Sequence, residues 1–242
     1  MLENGVVDMT FQSVTIAQNT KAGQFVHIRT NDGIAPLLRR PISICDVDVQ
    51  TGDVRILFQI KGEGTRLIAM KNIGDSLDVI GPLGNGFTVD PRYKRPLLIG
   101  GGIGVFPLLL LSKKISTPVT CLGFRNQSQV VLENDFSQTS HHLLISTDDG
   151  SYGEHCYVPQ LAENQLENHP IDIIYACGPE VMIKCVVEMA NAKNIPCQVS
   201  MEQRMGCGIG ACLVCACKTK KGYEHVCKTG PVYWASEVIF DA

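Results

Sequence analysis

Apolar and polar positions alternate over short stretches in the first ninety residues. Segments 6–16, 24–29, 41–47, 54–60 and 76–80 are β-branched or alternating and predict strands. Turn-forming clusters separate most of them: Asn31-Asp32-Gly33, Thr51-Gly52-Asp53 and Gly81-Pro82-Leu83-Gly84-Asn85-Gly86. The pattern predicts a small antiparallel barrel, with one short helix at 64–71. Near residue 95 the period changes. A compact apolar run at 96–99 leads into Gly100-Gly101-Gly102-Ile103-Gly104 and then into helical character over 105–114, where Pro107 is tolerated in the first turn. Strands follow at 119–124, 143–146, 171–176 and 198–201, and a helix at 179–193 carries an apolar face of Val181, Met182, Cys185, Val186, Met189 and Ala190. This alternation implies a parallel sheet with helices on both sides. The chain therefore divides into a barrel at 1–92, an α/β domain at 93–203 and a small C-terminal module at 204–242. The closing segment 231–240, with the single tryptophan, packs on the body or contributes to a subunit interface.

The C-terminal module carries the most specific chemistry. Cys207, Cys212, Cys215 and Cys227 stand at C-x4-C-x2-C-x11-C, the plant-ferredoxin-like spacing for a [2Fe-2S] cluster. A loop that turns three thiolates toward one cluster must bend sharply, and Gly206, Gly208 and Gly210 permit this. A structural zinc site is the alternative, but such sites more often pair two C-x2-C knuckles and only one is present. Cys217 competes for the fourth position. It follows Cys215 too closely to turn back on the same cluster, which favours Cys227.

Three other motifs suit nucleotides. Arg39-Arg40-Pro41-Ile42-Ser43 places guanidinium groups and a hydroxyl at the start of a strand, a donor set for phosphate. Lys61-Gly62-Glu63-Gly64-Thr65 offers bare amides and a hydroxyl; the alternatives for both are a basic turn and a hairpin loop. Strand, glycine turn and helix at 96–114 is a phosphate-cradling arrangement, although Val105 stands where G-x-G-x-x-G has its third glycine. Cys177-Gly178-Pro179 puts a thiol at the carboxyl end of a strand, where open α/β sheets bind ligands; a core cysteine is the plainer reading.

Composition narrows the class. The 242 residues are 45% hydrophobic and 19% charged with net charge −3, which describes an ordinary globular chain and gives no reason to expect nucleic acid or anionic membrane. Of eleven cysteines, Cys45, Cys121, Cys156, Cys177, Cys185 and Cys197 are scattered in apolar contexts like reduced core thiols. The N-terminus lacks the basic-then-apolar design of a signal peptide, and no uncharged run reaches a membrane span, so a reducing cytoplasm is expected.

The order of these motifs resembles the ferredoxin reductase superfamily. In detail it is similar to the electron-transfer subunits of NAD-dependent (B-type) dihydroorotate dehydrogenases. The resemblance covers nearly the whole chain and is most specific at 38–43, 81–87, Thr147-Asp148-Asp149-Gly150-Ser151 and 207–215. It implies an oxidoreductase with FAD in the barrel, NAD(H) on the α/β domain and the cluster at the C-terminus, working in pyrimidine biosynthesis. It further implies FAD contacts from Arg40, Pro41, Ile42, Ser43, Leu57, Phe58, Gln59, Gly64 and Thr65. Nucleotide phosphates would face Gly101, Gly102 and Gly104, and Cys177 would lie near the nicotinamide as the catalytic-site residue. The implied partner is an FMN-containing catalytic subunit that oxidises dihydroorotate, joined as a heterotetramer of two of each. Arg125 or the pair Asp148 and Asp149 would bear on NAD against NADP. The rival readings are a flavin/iron–sulfur subunit of a ferredoxin:NADP or sulfide-type reductase, where aspartate often replaces the first cluster ligand, a reductase feeding an oxygenase, and a non-catalytic metal-stabilised module.

Overall fold

The computed structural model describes residues 5–31 and 33–240. The first four residues, on which the leader expectation rests, and Asp32 of the expected 31–33 turn lie outside the described residues.

The alternating N-terminal segments form a five-stranded antiparallel sheet in the order β1-β4-β3-β2-β5. Its strands are β1 (Val6–Gln12), β2 (Phe25–Ile28), β3 (Arg40–Asp48), β4 (Asp53–Gln59) and β5 (Val79–Leu83). Two boundaries differ from the sequence pattern. The first strand stops at Gln12, because Ser13 leaves the ladder and its hydroxyl accepts from the Ile16 amide at 3.4 Å. That cap starts α1 (Val14–Asn19), a short helix where 6–16 reads as one strand. The last strand is shifted and runs through Gly81-Pro82, which the pattern reads as turn. It is an edge strand, where proline's missing donor costs least. The expected helix at 64–71 is α2 (Glu63–Ala69).

The second half builds a seven-stranded sheet in the order β14-β11-β10-β6-β7-β8-β9. Its strands are β6 (Pro96–Gly101), β7 (Val119–Phe124), β8 (His142–Thr147), β9 (Glu154–His155), β10 (Ile173–Cys177), β11 (Cys197–Ser200) and β14 (Val232–Trp234). Neighbours are parallel except β14, which lies antiparallel on β11. Helices α3 (Phe106–Ser112), α4 (Glu133–Ser137), α5 (Val158–Asn168) and α6 (Glu180–Ala192) connect them, and β12 (Ala216–Thr219) with β13 (Gly222–His225) forms a hairpin inside the cysteine-rich module. The apolar face of α6 is rotated from the sequence reading. Met182, Ile183, Val186, Val187 and Ala190 are buried, whereas Val181 and Cys185 are exposed. Their i, i+1, i+4 spacing is a full helical stripe, which Val181 and Cys185 only flank.

Strand alternation distributes the sheet between two cores. Leu97, Ile99, Cys121, Ile174 and Ala176 pack with α5 and α6. Leu98, Leu122 and Tyr175 face the other way, onto α3 and the five-stranded sheet. Helix α3 is buried at every position, as its unbroken apolar sequence requires for an element between two sheets. Charge pairs rivet the same joint: Arg55 of β4 binds Asp8 of β1 at 2.7 Å and Asp135 of α4 at 2.6 Å, and Lys113 pairs with Asp46. Phe87 meets Tyr175 edge-to-face at 5.6 Å and 89° across the inter-sheet seam. Replacing Phe87 with alanine should therefore lower stability by about 3 kcal/mol, read as a lower urea midpoint; an unchanged midpoint would show that the seam does not depend on this ring.

Candidate functional site

Motifs far apart in sequence meet along one cleft of about 650 Å³. Arg40 and Pro41 line it from β3, Gly178 and Pro179 from the turn after β10, and Arg204 and Met205 from the approach to the cysteine loop. Arg39 and Arg40 behave differently within it. Arg39 is held by Asp78 at 2.8 Å, and the same carboxylate lies 3.6 Å from Arg29. Arg40 has no carboxylate partner among the described residues; its guanidinium donates to the Leu38 carbonyl and lies over Gly64. A Cβ at Gly64 would fall 2.4 Å from Arg40 Nε, so two of the sequence motifs close on each other only because residue 64 is glycine.

The remaining FAD candidates fall into three positions. Ile42 is buried, with Pro41 and Ser43 on the alternate, half-buried face of β3. Leu57 and Phe58 are buried in the core, and Gln59 is half-buried at the end of β4. Thr65 is engaged locally: its hydroxyl accepts from the amides of Lys61 at 3.0 Å and Gly62 at 3.2 Å. The motif at 81–87 acts as a joint. The Asn85 amide donates to the Gly230 carbonyl at 2.5 Å, its side chain donates to the Thr229 carbonyl at 2.9 Å, and Gln24 donates to the Gly84 carbonyl at 2.6 Å.

The glycine turn and the Cys177-Gly178-Pro179 turn interlock through their backbones. A Cβ at Gly104 would lie 2.5 Å from the Cys177 carbonyl oxygen, and one at Gly101 would lie 2.6 Å from Met182 Sδ. Gly102 takes φ +55° with nothing nearby, so it bends the chain in open space between β6 and α3. Burial pushes the Cys177 thiol up to about 12, against a hydrogen bond from Ser200. It is a neutral thiol at the strand end. At the ends of β7 and β8, the Asp149 carboxylate accepts from the Ser151 amide at 2.9 Å and hydroxyl at 2.6 Å, and Arg125 contributes its carbonyl to the Asp149 amide.

The four cysteines of the expected set form one hydrogen-bonded group. Cys207 Sγ accepts from the amides of Ile209 at 3.5 Å, Ala211 at 3.2 Å and Cys212 at 3.3 Å. Cys212 Sγ accepts from the Cys207 amide at 3.3 Å, Cys227 Sγ from Gly210 at 3.1 Å and Cys215 Sγ from Cys227 at 3.5 Å. The Ile209 amide, with those of Cys212 and Ala211, pulls the Cys207 thiol down to about 6. Burial and the adjacent Cys215 push Cys227 up to about 12. Amides aimed at sulfur are what a thiolate-held cluster needs. Four thiols with backbone amides directed at their sulfurs form a donor set that fits an iron–sulfur cluster. Cys217 is buried on β12 beside Glu224, and burial raises its thiol.

One residue of this region carries no motif. His27 of β2 is fully buried, and burial, helped by the charges of Arg39 and Arg40, holds it below the ordinary histidine range against backbone contacts with Arg39 and Cys207 that act the other way. Its ring lies against the cysteine loop: a Cβ at Gly208 would come within 2.4 Å of His27 Nδ1. A single histidine inside an apolar strand gives no spacing to find it by.

An antiparallel sheet and a parallel sheet that meet at one cleft, with a four-thiol loop reached from its edge at Arg204 and Met205, are the architecture of a ferredoxin-reductase-like electron-transfer protein. The NADH-dependent reduced ferredoxin-NADP oxidoreductase, described in relation to flavin-based electron bifurcation, superposes with TM-score 0.87 at 27% identity, covering 97% of this chain and 85% of that one. The ferredoxin reductase of carbazole 1,9a-dioxygenase shares the fold at TM-score 0.67 and 19% identity, over 81% and 63%. A family model of the iron-sulfur cluster binding domain of dihydroorotate dehydrogenase B matches residues 202–239. Sequence relatives include the dihydroorotate dehydrogenase B (NAD(+)) electron transfer subunits of Geobacillus thermodenitrificans, 40% identical over 99% of this chain and 95% of that protein, and of Bacillus cereus, 36% identical over 98% and 94%. The chain belongs to the family of electron transfer subunits of dihydroorotate dehydrogenase B (NAD(+)), and is an oxidoreductase subunit. No helix among the described residues is long and apolar enough to cross a membrane.

The hydrogen-bonded thiols give a direct test. Cys227→Ser should abolish the [2Fe-2S] absorbance and EPR signals, and Cys217→Ser should leave iron content unchanged. The reverse result would reassign the fourth ligand.

Proposed function

We propose that this chain passes electrons between a dihydroorotate-oxidising subunit and NAD+, and that its motifs divide the work as follows. Arg40, Pro41, Ile42 and Ser43, with Gly64, Thr65 and the end of β4 at Leu57, Phe58 and Gln59, hold FAD. The guanidinium of Arg40, which has no carboxylate partner among the described residues, would bind its pyrophosphate. Gly101, Gly102 and Gly104 make room for the phosphates of NAD(H), and the neutral thiol of Cys177 stands beside the nicotinamide. Cys207, Cys212, Cys215 and Cys227 hold the [2Fe-2S] cluster. When bound, the cluster supplies one-electron transfer and the flavin couples it to hydride exchange with nicotinamide. The chain's own residues orient these groups and keep water from them; no acid or base acting on dihydroorotate is required here, since that step belongs to the partner. The domains are 1–92, 93–203 and 204–242, and the work takes place in the cytoplasm.

The observation that carries this reading is the convergence on one cleft of Arg40 and Pro41 of β3, the Gly178-Pro179 turn against which Gly104 packs, and the Arg204-Met205 approach to the cysteine loop. The partner is an FMN-containing subunit, in a heterotetramer of two of each. Its docking face includes the tip of the cluster loop, where Ile209, Leu213 and Val214 are each more than half exposed beside the exposed Cys212. Apolar side chains presented around a redox centre shorten the distance to a partner's centre by excluding water. The sister reading, a subunit of a ferredoxin:NADP-type reductase, has the TM-score 0.87 neighbour in its favour. The higher identity to the dihydroorotate dehydrogenase subunits favours the first.

Reconstitution decides between them. Dihydroorotate should reduce NAD+ only when this chain and its catalytic subunit are mixed, and Cys212→Ser should abolish that activity. A chain that holds FAD and cluster but ignores the partner belongs to the sister class. Leu213→Asp with Val214→Asp should weaken the partner complex by at least about tenfold while NADH-driven dye reduction continues. Arg40→Ala should weaken FAD binding by about tenfold, measured by flavin release on dilution.

A further inference from the structure

His27 has features that the flavin and cluster motifs leave unexplained. It lies in β2 opposite Pro41 of β3 and Ile80 of β5, so it belongs to the strand beside the Arg40–Ser43 motif. Its side chain is fully buried, and although the Arg39 and Cys207 backbones lie near the ring, neither ring nitrogen reaches hydrogen-bond geometry with a partner among the described residues. A buried imidazole with both nitrogens idle loses the free energy of its water hydrogen bonds without replacement. The ring also occupies the space over Gly208, the residue after Cys207, closely enough that any side chain there would overlap it. Gly208 adopts φ +74°. The loop is thus bent toward a polar ring that the protein alone does not satisfy.

We propose that His27 is a positioning residue whose ring N–H serves the occupied cluster loop as a hydrogen-bond donor, tuning the cluster's reduction potential and fixing the loop against the flavin-side strand. The proposal rests on the assignment of Cys207, Cys212, Cys215 and Cys227 to a [2Fe-2S] cluster. The chemistry that would use such a donor is sulfide or thiolate sulfur. Donors to cluster sulfur favour the more negative, reduced state and raise the potential. The loop amides of Cys207, Gly210, Ala211 and Cys212 point to Cys207, Cys212 and Cys227 from within the loop, whereas His27 approaches from β2.

The test is an EPR-monitored redox titration of the purified, cofactor-loaded protein, with FAD titrated in the same samples. His27→Phe fills the space but removes the N–H; His27→Gln keeps a donor. The expected result is an approximately tenfold shift of the cluster's reduction equilibrium toward the oxidised state in His27→Phe, about 59 mV for one electron. His27→Gln should recover most of it, and the flavin equilibrium should not move. A cluster that titrates alike in wild type and His27→Phe overturns the proposal, as does an equal shift in both variants or one shared by the flavin, since those mark packing alone. Should His27→Phe fail to fold or to hold a cluster, His27→Gln and His27→Asn decide. Near-wild-type cluster EPR and potential in both supports a donor role, and loss of the cluster in both overturns it. Failure of the cluster assignment itself is separate: Cys212→Ser would then keep wild-type iron and sulfide.

Discussion

The candidate cofactor groups meet where they do because chain segments approach one another too closely for a side chain at three glycines. Gly104 lets the nucleotide turn press on the Cys177 carbonyl, Gly64 lets Arg40 fold across the start of α2, and Gly208 lets the cysteine loop rest on His27. At each, the overlap a Cβ would meet involves a group proposed to bind a cofactor or to stand next to one. Interiors at crystalline density cannot absorb an extra carbon cheaply. The cofactor sites are therefore set by how closely chain segments approach, and the rest of the fold serves to bring them together.

Charge follows the same division. Adjacent arginines differ because Asp78 pairs with Arg39, while Arg40 has no carboxylate partner among the described residues. Arg55, gripped by Asp8 and Asp135, joins the two halves of the molecule through groups that are three-quarters or less withdrawn from water. Its neighbours hold it firmly protonated, so its contribution is geometric and constant across physiological pH.

Much of this was legible in the sequence where a period or spacing was strict. The strand 119–124 coincides with β7, and 179–193 brackets α6. The cysteine spacing singles out four thiols that each accept from a backbone amide, and Cys227, the expected fourth ligand, accepts from Gly210 while Cys217 lies buried on β12. The losses have physical causes. A single serine hydroxyl ended β1 early and started α1, a local bond that outweighs strand propensity. Helix α5 is hidden in the sequence because the polar Gln165 and the small Ala162 stand within its buried stripe of Val158, Leu161 and Leu166. The face of α6 was misjudged by one position, since Ile183 and Val187 rather than Val181 and Cys185 complete it. His27 was invisible because its meaning comes from Gly208, far away in sequence and against its ring in space.

The cysteine module leaves from the end of β11 and returns to pair with that same strand through β14. Both ends of the loop are thus anchored to one strand of an already formed sheet, so closing the loop costs its chain entropy once, when the sheet forms. Because Ser200 of β11 also pairs in register with Cys177 of β10, a displacement of that one strand is passed at once to the cysteine loop and to the turn after β10.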